Sequence, residues 1–379
     1  MIPFNKPSIT ELEKKYVLQA LDSGKICGDR QFTQKVNKFF KDKFNVDNFM
    51  LTTSCSSALD MSAILLDLKK GDEVIVPSYT FVTTASSIVL RGATPAFCDV
   101  SKETMNIDPD KIEALITPKT KAIYVVHYAG HMCEMDKIMA IAKAHNLYVV
   151  EDAAQAVGSS YKGKVAGTIG DMGCYSFHET KNYVMGEGGA LIINNTKFLE
   201  RAEVIRDCGT DKNKFLRGQV AEYTWQDCGS SFLPADVLAA ILYAQLERFD
   251  EIFDKRMNAW NYYYQNLKPL EEKGLIELQG SRVENYQHNA HIFYILTKDI
   301  EERDKLTEYL KHRGIHAVFH YIPLHSSPFV NRLLNNKIPD LPVTLEYSQK
   351  LLRLPLYVDI SLEELKSVVD SIKEFYEVK

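Results

Sequence analysis

Short apolar runs alternate with helical patterns along the first half of the chain. Leu147–Val150 and Gly173–Phe177 are almost continuously apolar, as strands buried on both faces of a parallel sheet are. Glu73–Pro77, Ala96–Val100 and Ala122–Val126 read the same way. Helical spacing falls between them, over Thr52–Leu66 and Glu134–His145. This rhythm predicts a doubly wound α/β sheet. Ahead of it, Ser8 and Glu11 have capping-box spacing and predict a helix over LEKKYVLQALDSG that ends at Gly24. The segment GKICGDRQFTQKVNKFFKDKF then reads as a loop followed by an amphipathic helix.

Beyond Ile193 the pattern changes. Lys197–Gln219 reads as helix and then polar loop. Pro234 opens a helical pattern running to about Leu267, through ADVLAAILYAQLERFDEIF. The remainder mixes strands (Ala290–Leu296, His316–His320) with helices (Arg303–His312, Leu345–Leu352, Glu363–Tyr376). Ser361 and Glu364 supply a capping box to the last of these. The expected division is a large domain over 1–248 and a small one over 249–379.

Composition narrows the classes. A chain of 379 residues can bury a core of two-domain size. Net charge of −5 gives no nucleic-acid footprint, and no apolar run reaches membrane-spanning length. The opening MIPFNKPSIT lacks the charged-then-apolar pattern of a secretion signal. The 7 cysteines are dispersed without CxxC pairs, which argues for reduced thiols. A cytoplasmic protein is expected. The run HYAGHMC places His127, His131 and Cys133 together, but no fourth ligand has recognised spacing, so a metal site is rejected. Gly163, Gly167 and Gly170 lie in a hairpin-like loop, not in the GxGxxG turn of a dinucleotide site.

The candidate chemistry lies at the carboxyl ends of two strands, where open α/β sheets bind ligands. The first brings Glu151 and Asp152; the second brings Ser176 and then Lys181 in a loop with Gly186, Gly188 and Gly189. An acid and an amine in one crevice suit pyridoxal phosphate. Its carbonyl bonds a lysine, and its ring nitrogen needs a carboxylate to stay protonated. The hydroxyl cluster before the helix in TTSCSSALDMSAILL offers a phosphate site at a helix N-terminus, or simple capping by Ser54 or Ser56. Phe81 or Tyr79 is available to stack on a planar ring, with core packing as the alternative. The loops Gly24–Asp29 and Tyr321–His325 either border the site or are plain connectors.

EDAAQ, SFHETKN and GEGGA together resemble the DegT/DnrJ/EryC1/StrS sugar aminotransferase family, and the resemblance runs over nearly the whole chain. It implies a PLP-dependent transferase fold of type I, aspartate aminotransferase-like. That fold has a large domain with a mainly parallel central sheet and a smaller α+β C-terminal domain. The resemblance makes Lys181 the cofactor-bonding lysine and Asp152 the partner of the ring nitrogen. It places Gln155 beside the cofactor hydroxyl, Ser56, Ser57 and Ser176 on the phosphate, and Phe81 against the ring. It also implies L-glutamate as donor, a dTDP-linked keto sugar as acceptor, and homodimers with shared active sites. Amination at C3 and a UDP-linked acceptor stay open. One departure is visible: where many relatives read GxNxRMSD, with a phosphate contact for the neighbouring subunit, Gly229–Asp236 reads GSSFLPAD. Dehydratases of this fold replace the lysine, commonly with histidine, so Lys181 speaks against that activity. A complete Asp/Gln/Ser/Lys set speaks against a non-catalytic regulator.

Overall fold

A computed structural model describes residues 1–280 and 284–377. The strands are β1 (Phe49–Thr52), β2 (Glu73–Pro77), β3 (Thr94–Cys98), β4 (Thr120–Val126), β5 (Tyr148–Asp152), β6 (Ser160–Tyr161), β7 (Lys164–Val165), β8 (Met172–Ser176) and β9 (Gly189–Ile193), then β10 (Glu277–Leu278), β11 (Tyr286–Gln287), β12 (Phe293–Leu296) and β13 (Leu351–Leu354). A seven-stranded sheet runs β1-β9-β8-β5-β4-β2-β3. It is parallel from β3 through β8, and β9 is antiparallel to both β8 and β1. Strands β5 and β8 are buried along almost their whole length, as their unbroken apolar runs require. The residues 163–170 loop does begin as a hairpin, with β6 and β7 antiparallel.

The helices are α1 (Glu11–Asp22), α2 (Gln31–Phe44), α3 (Cys55–Leu65), α4 (Val82–Leu90), α5 (Met135–Ala144), α6 (Leu199–Arg206), α7 (Lys212–Leu216), α8 (Asp236–Glu247), α9 (Phe249–Glu272), α10 (Ile300–His312), α11 (Pro328–Leu333), α12 (Pro342–Lys350) and α13 (Leu362–Glu377). Among the described residues no helix is long and apolar enough to cross a membrane. Apolar side chains fill both faces of the large sheet, and a separate cluster joins α9, α10 and α13 to the β10-β12-β13 sheet. Ile2 belongs to that second cluster, so the first residues of the chain pack with its C-terminal part.

Four sequence expectations are corrected. The box that opens α1 is Thr10 with Glu13, because Thr10 has the extended backbone of a cap and both reciprocal bonds form there. The pattern from Pro234 is two helices, not one. The chain turns at Arg248, and the turn seats Phe249 against Tyr183, with ring centroids 4.4 Å apart. Residues 351–354 leave the helical pattern as strand β13, whose leucines are buried against β12; a short apolar run cannot be assigned by periodicity alone. His316–His320 forms no ladder among the described residues, only a bridge from Val318 to Arg353. The box at Ser361 and Glu364 forms as expected, with bonds of 2.8 and 3.1 Å.

Two helix N-termini are capped by carboxylates from distant parts of the chain. Asp236 accepts from the backbone N–H groups of Phe32 and Thr33 in the first turn of α2, at 3.0 and 2.8 Å. Asp99, beyond β3, accepts from the N–H of Thr344 at 2.8 Å and of Val343 at 3.3 Å, in the first turn of α12. It also pairs with Lys111 at 2.7 Å. Each satisfies donors that a helix cannot satisfy itself. Burial pushes the Asp99 carboxyl up, but its bonds from Lys111 and Thr344 outweigh this and hold it below 3.8.

Asp236→Ala and Asp99→Ala are each expected to lower stability by about 2 kcal/mol in denaturant titrations at neutral pH, through lost capping and orphaned buried donors. A depressed carboxyl stabilises above its unfolded pKa and stops doing so as pH falls through its folded one. The gap between wild type and Asp99→Ala therefore narrows below about pH 3.8. A gap that widens in acid would contradict this.

Candidate active site

Strand alternation sends the two acids at the end of β5 in opposite directions. Glu151 faces away from the crevice and is fully enclosed. It accepts from the N–H groups of Gly167, Ile169 and Gly170 at 2.9, 2.6 and 2.6 Å. His127 lies 2.9 Å from it through Nε2. His127 Nδ1 accepts the Cys133 N–H at 3.2 Å, which leaves Nε2 as the nitrogen that donates to Glu151. This is the work of His127 here; Glu151 anchors a loop.

Asp152 faces the crevice and is buried. Its Oδ2 accepts from Thr84 Oγ1 at 2.7 Å and its Oδ1 from the Ala154 N–H at 3.1 Å. Among the described residues no cation pairs with it. Desolvation raises its pKa above the usual carboxylate value, against the pull of those bonds. The Cys55 thiol lies 4.0 Å from Oδ1, and the same crowding pushes that thiol up.

Lys181 sits in a loop that folds back on itself. Phe177 N–H donates to Gly188 and Met185 N–H to Phe177, both at 2.8 Å. Glu179 N–H donates to Gly186 at 2.9 Å, and Gly186 takes φ +83°, a conformation suited to glycine. The next residue, Asn182, is tied to the C-terminal part: its Nδ2 donates to Asn289 at 2.8 Å and its Oδ1 meets His291 Nδ1 at 2.9 Å. Burial lowers the Lys181 pKa below the ordinary lysine value, with Cys55 and Asp152 pulling the other way. A small cleft is lined jointly by Gln155, Ser176, Lys181, Asn182 and His291.

The remaining predicted residues surround these. Ser54 is the N-cap of α3 and accepts from Ser57 N–H at 3.0 Å. The Ser57 hydroxyl lies 2.7 Å from Thr53 Oγ1. Capping and phosphate binding are compatible, since the Cys55 and Ser56 N–H groups lie in the first turn and have no intrahelical acceptor. Gly189 lets β9 approach this end closely: a Cβ there would lie 2.3 Å from Cys55 N. Phe81 stands ahead of α4 and is 54% exposed, so its ring is free for a ligand. Tyr79 is not, being enclosed against Tyr128 and Tyr321. Gln155 accepts from the Ala129 N–H at 2.7 Å and donates to the Tyr321 hydroxyl at 3.1 Å, leaving one amide N–H. The Tyr321–His325 loop therefore does reach the site.

Gly24–Asp29 docks on the departing segment instead: Gly28 abuts Leu233 and Pro234, and Asp29 pairs with Arg206. Within Gly229–Asp236, the Phe232 carbonyl accepts from Thr53 N–H at 2.9 Å, beside α3.

Sequence reasoning missed Thr84, Asn182 and His291. Thr84 had a signal, since it stands one helical turn beyond Phe81 and shares its face. His291 comes to the site through a contact spanning 109 positions, and Asn182 adjoins Lys181. Overall the donor set suits a planar, phosphate-bearing cofactor. It offers a buried carboxylate lacking a cation, an amine lowered by burial, hydroxyls at a helix N-terminus and an exposed aromatic face.

The model of the DegT/DnrJ/EryC1/StrS aminotransferase family matches residues 7–373. GDP-perosamine synthase from Escherichia coli O157:H7 is 33% identical, over 100% of this chain and 99% of its own. The aminotransferase from Psychrobacter cryohalolentis superposes with a TM-score of 0.93 at 28% identity, covering 99% of both chains. The PLP-form of the sugar aminotransferase Spr1654 from Streptococcus pneumoniae gives 0.89 at 26% identity, covering 100% of this chain and 99% of that one.

Burial disfavours the charged amine, so Lys181 is expected to lose its proton at lower pH than a free lysine. Labelling by an amine-reactive reagent across pH, read by peptide mass spectrometry, should give a midpoint for Lys181 below 10.5. A midpoint at or above that value would remove the electrostatic reading of the crevice.

Proposed function

The chain belongs to the DegT/DnrJ/EryC1/StrS aminotransferase family, and from that premise we propose a specific reaction for it. An amino group moves from L-glutamate to the C4 keto group of dTDP-4-dehydro-6-deoxy-D-glucose. The products are dTDP-4-amino-4,6-dideoxy-D-galactose and 2-oxoglutarate. The observation that carries the proposal is a buried Asp152, with no cationic partner among the described residues, next to the cleft that Lys181 lines.

Pyridoxal phosphate, when bound, supplies an electron sink for the carbon that loses or gains the amine. The protein's own groups do the rest. Asp152 would hold the proton on the ring nitrogen, with Thr84 Oγ1 orienting the carboxylate. Lys181, whose amine burial makes easier to deprotonate, would hold and move the proton of the amine-bearing carbon, as base and then acid. Ser56, Ser57, Ser176 and the first-turn N–H groups of α3 would hold the phosphate. Phe81 would stack on the ring, and the free amide N–H of Gln155 would serve the ring hydroxyl.

The finer choice of acceptor rests on the segments SGKICGD, SFHETKNY and FHYIPLH, together with MIPFN and GDEVIVPSYTFV. A GDP-linked keto sugar is the second reading, favoured by the full-length similarity to GDP-perosamine synthase. A cytoplasmic homodimer with shared active sites, each chain divided at 248/249, completes the proposal.

Lys181→Ala and Asp152→Asn should each keep the fold and lose about 10²–10⁴-fold in turnover. Near wild-type rates in either would remove that residue's role. The acceptor is tested by incubating purified protein with L-glutamate and the dTDP keto sugar and reading the product by NMR. An axial C4 amine is expected. An equatorial amine would change the product assigned, and turnover with the GDP-linked sugar alone would favour the second reading.

A further inference from the structure

Asp152 stands at the end of a chain of buried hydroxyls whose polarity follows from counting protons. A hydroxyl has one proton to give, and an ionised carboxylate only accepts. Thr84 Oγ1 donates to Asp152 Oδ2 at 2.7 Å, so its proton is committed there. Thr80 Oγ1 lies 2.9 Å from Thr84 Oγ1, and Thr80 must therefore be the donor between them. The chain runs one way, from Thr80 to Thr84 to Asp152. Both threonines are buried, so water does not compete for either hydroxyl. They stand four positions apart at the start of α4, on either side of Phe81. A helical threonine commonly turns its hydroxyl back to a carbonyl of the preceding turn. Thr84 instead reaches a strand end 68 positions away in the chain.

We propose that Thr80 and Thr84 are positioning residues that keep Asp152 ionised and so hold the shared proton on the ring nitrogen of pyridoxal phosphate. The proposal rests on the aminotransferase reading of the site and deepens it. Burial alone drives the Asp152 carboxyl upward, towards taking that proton itself. The bonds from Thr84 and from the Ala154 N–H oppose this, and the charge of Lys181 pulls the same way. The other titratable groups around the carboxylate are His127 and the thiols Cys55 and Cys174, both of which burial keeps protonated. A hydrogen bond to a carboxylate favours its charged form, and a donor that is itself polarised by a second donor does so more strongly. Each hydroxyl of the chain thus lowers the proton affinity of Asp152 relative to the ring nitrogen. The start of α4 then serves the ring twice, through Phe81 at its face and through the two threonines at its nitrogen.

The test compares calorimetric binding of pyridoxal phosphate and of its 1-deaza analogue, in which carbon replaces the ring nitrogen. It uses the full-length protein freed of cofactor, with circular dichroism confirming the fold of each variant. The ratio of the two affinities isolates the ring nitrogen and needs no turnover. In Thr84→Val that ratio should fall about 10- to 100-fold, the loss of one hydrogen bond to a charged group. In Thr80→Val it should fall about 2- to 10-fold, the loss of a neutral bond one step removed. Thr84→Ser, which keeps the hydroxyl, should retain most of the preference. Equal weakening of both ligands in Thr84→Val would mark a packing role and overturn the proposal. An unchanged ratio in either valine variant would overturn it too. The Asp152 reading is separable: a preference lost in Asp152→Asn but kept in Thr84→Val removes this proposal alone. A wild type that binds both ligands alike, or a preference that survives Asp152→Asn, removes the Asp152 reading and this proposal with it.

Discussion

The site depends on how two adjacent carboxylates at the end of β5 are satisfied. Glu151 is surrounded by three backbone N–H groups and one imidazole, so its charge is fully compensated inside the core. Among the described residues Asp152 has two donors and no cation. A buried carboxylate is tolerated when hydrogen-bonded, and it attracts a proton donor when it is not fully so. One acid therefore fixes the loop behind the sheet and its neighbour is left with unused acceptor capacity in the crevice. Two residues of the same chemistry acquire opposite roles from the pleat of the strand.

Much of this was legible beforehand. The strands that deliver Asp152 and Ser176 are apolar without interruption, and only sheets covered on both faces need that. The sequence also placed Lys181 in a glycine-punctuated loop beyond one of them. Boundaries were less legible where two periods compete. The run LLRLPL fits a helix end as well as a strand, and only its pairing with β12 decides. The break at Arg248 was hidden because helical spacing continues through it. Its cause is tertiary, in the stacking of Phe249 on Tyr183.

The half of the site that faces the sheet was invisible for a different reason. Asn289 and His291 reach the cleft only because the C-terminal part folds back over the strand ends, and no local pattern encodes that return. Tyr321 was singled out as a loop residue, but its bond to Gln155 spans 166 positions. The chain thus builds a crevice from local signals on one side and from long-range closure on the other.

That closure is secured by groups with little freedom to let go. Asp99 caps α12 from the far end of β3, and Ser78 meets His325 both through Nδ1 at 2.7 Å and through its N–H at 3.0 Å. Each bond is divided between the two parts of the molecule, and without it the first turn of α12 and the Ser78 hydroxyl lose their partners. The C-terminal third is therefore not an interchangeable module. In a chimera assembled from two relatives, the grafted third would have to bring its own partners for Asp99 and Ser78. Otherwise the join would leave the first turn of α12 without its cap and bury a lone hydroxyl at Ser78, and recombination would be limited by these few polar atoms more than by the fit of the apolar surfaces.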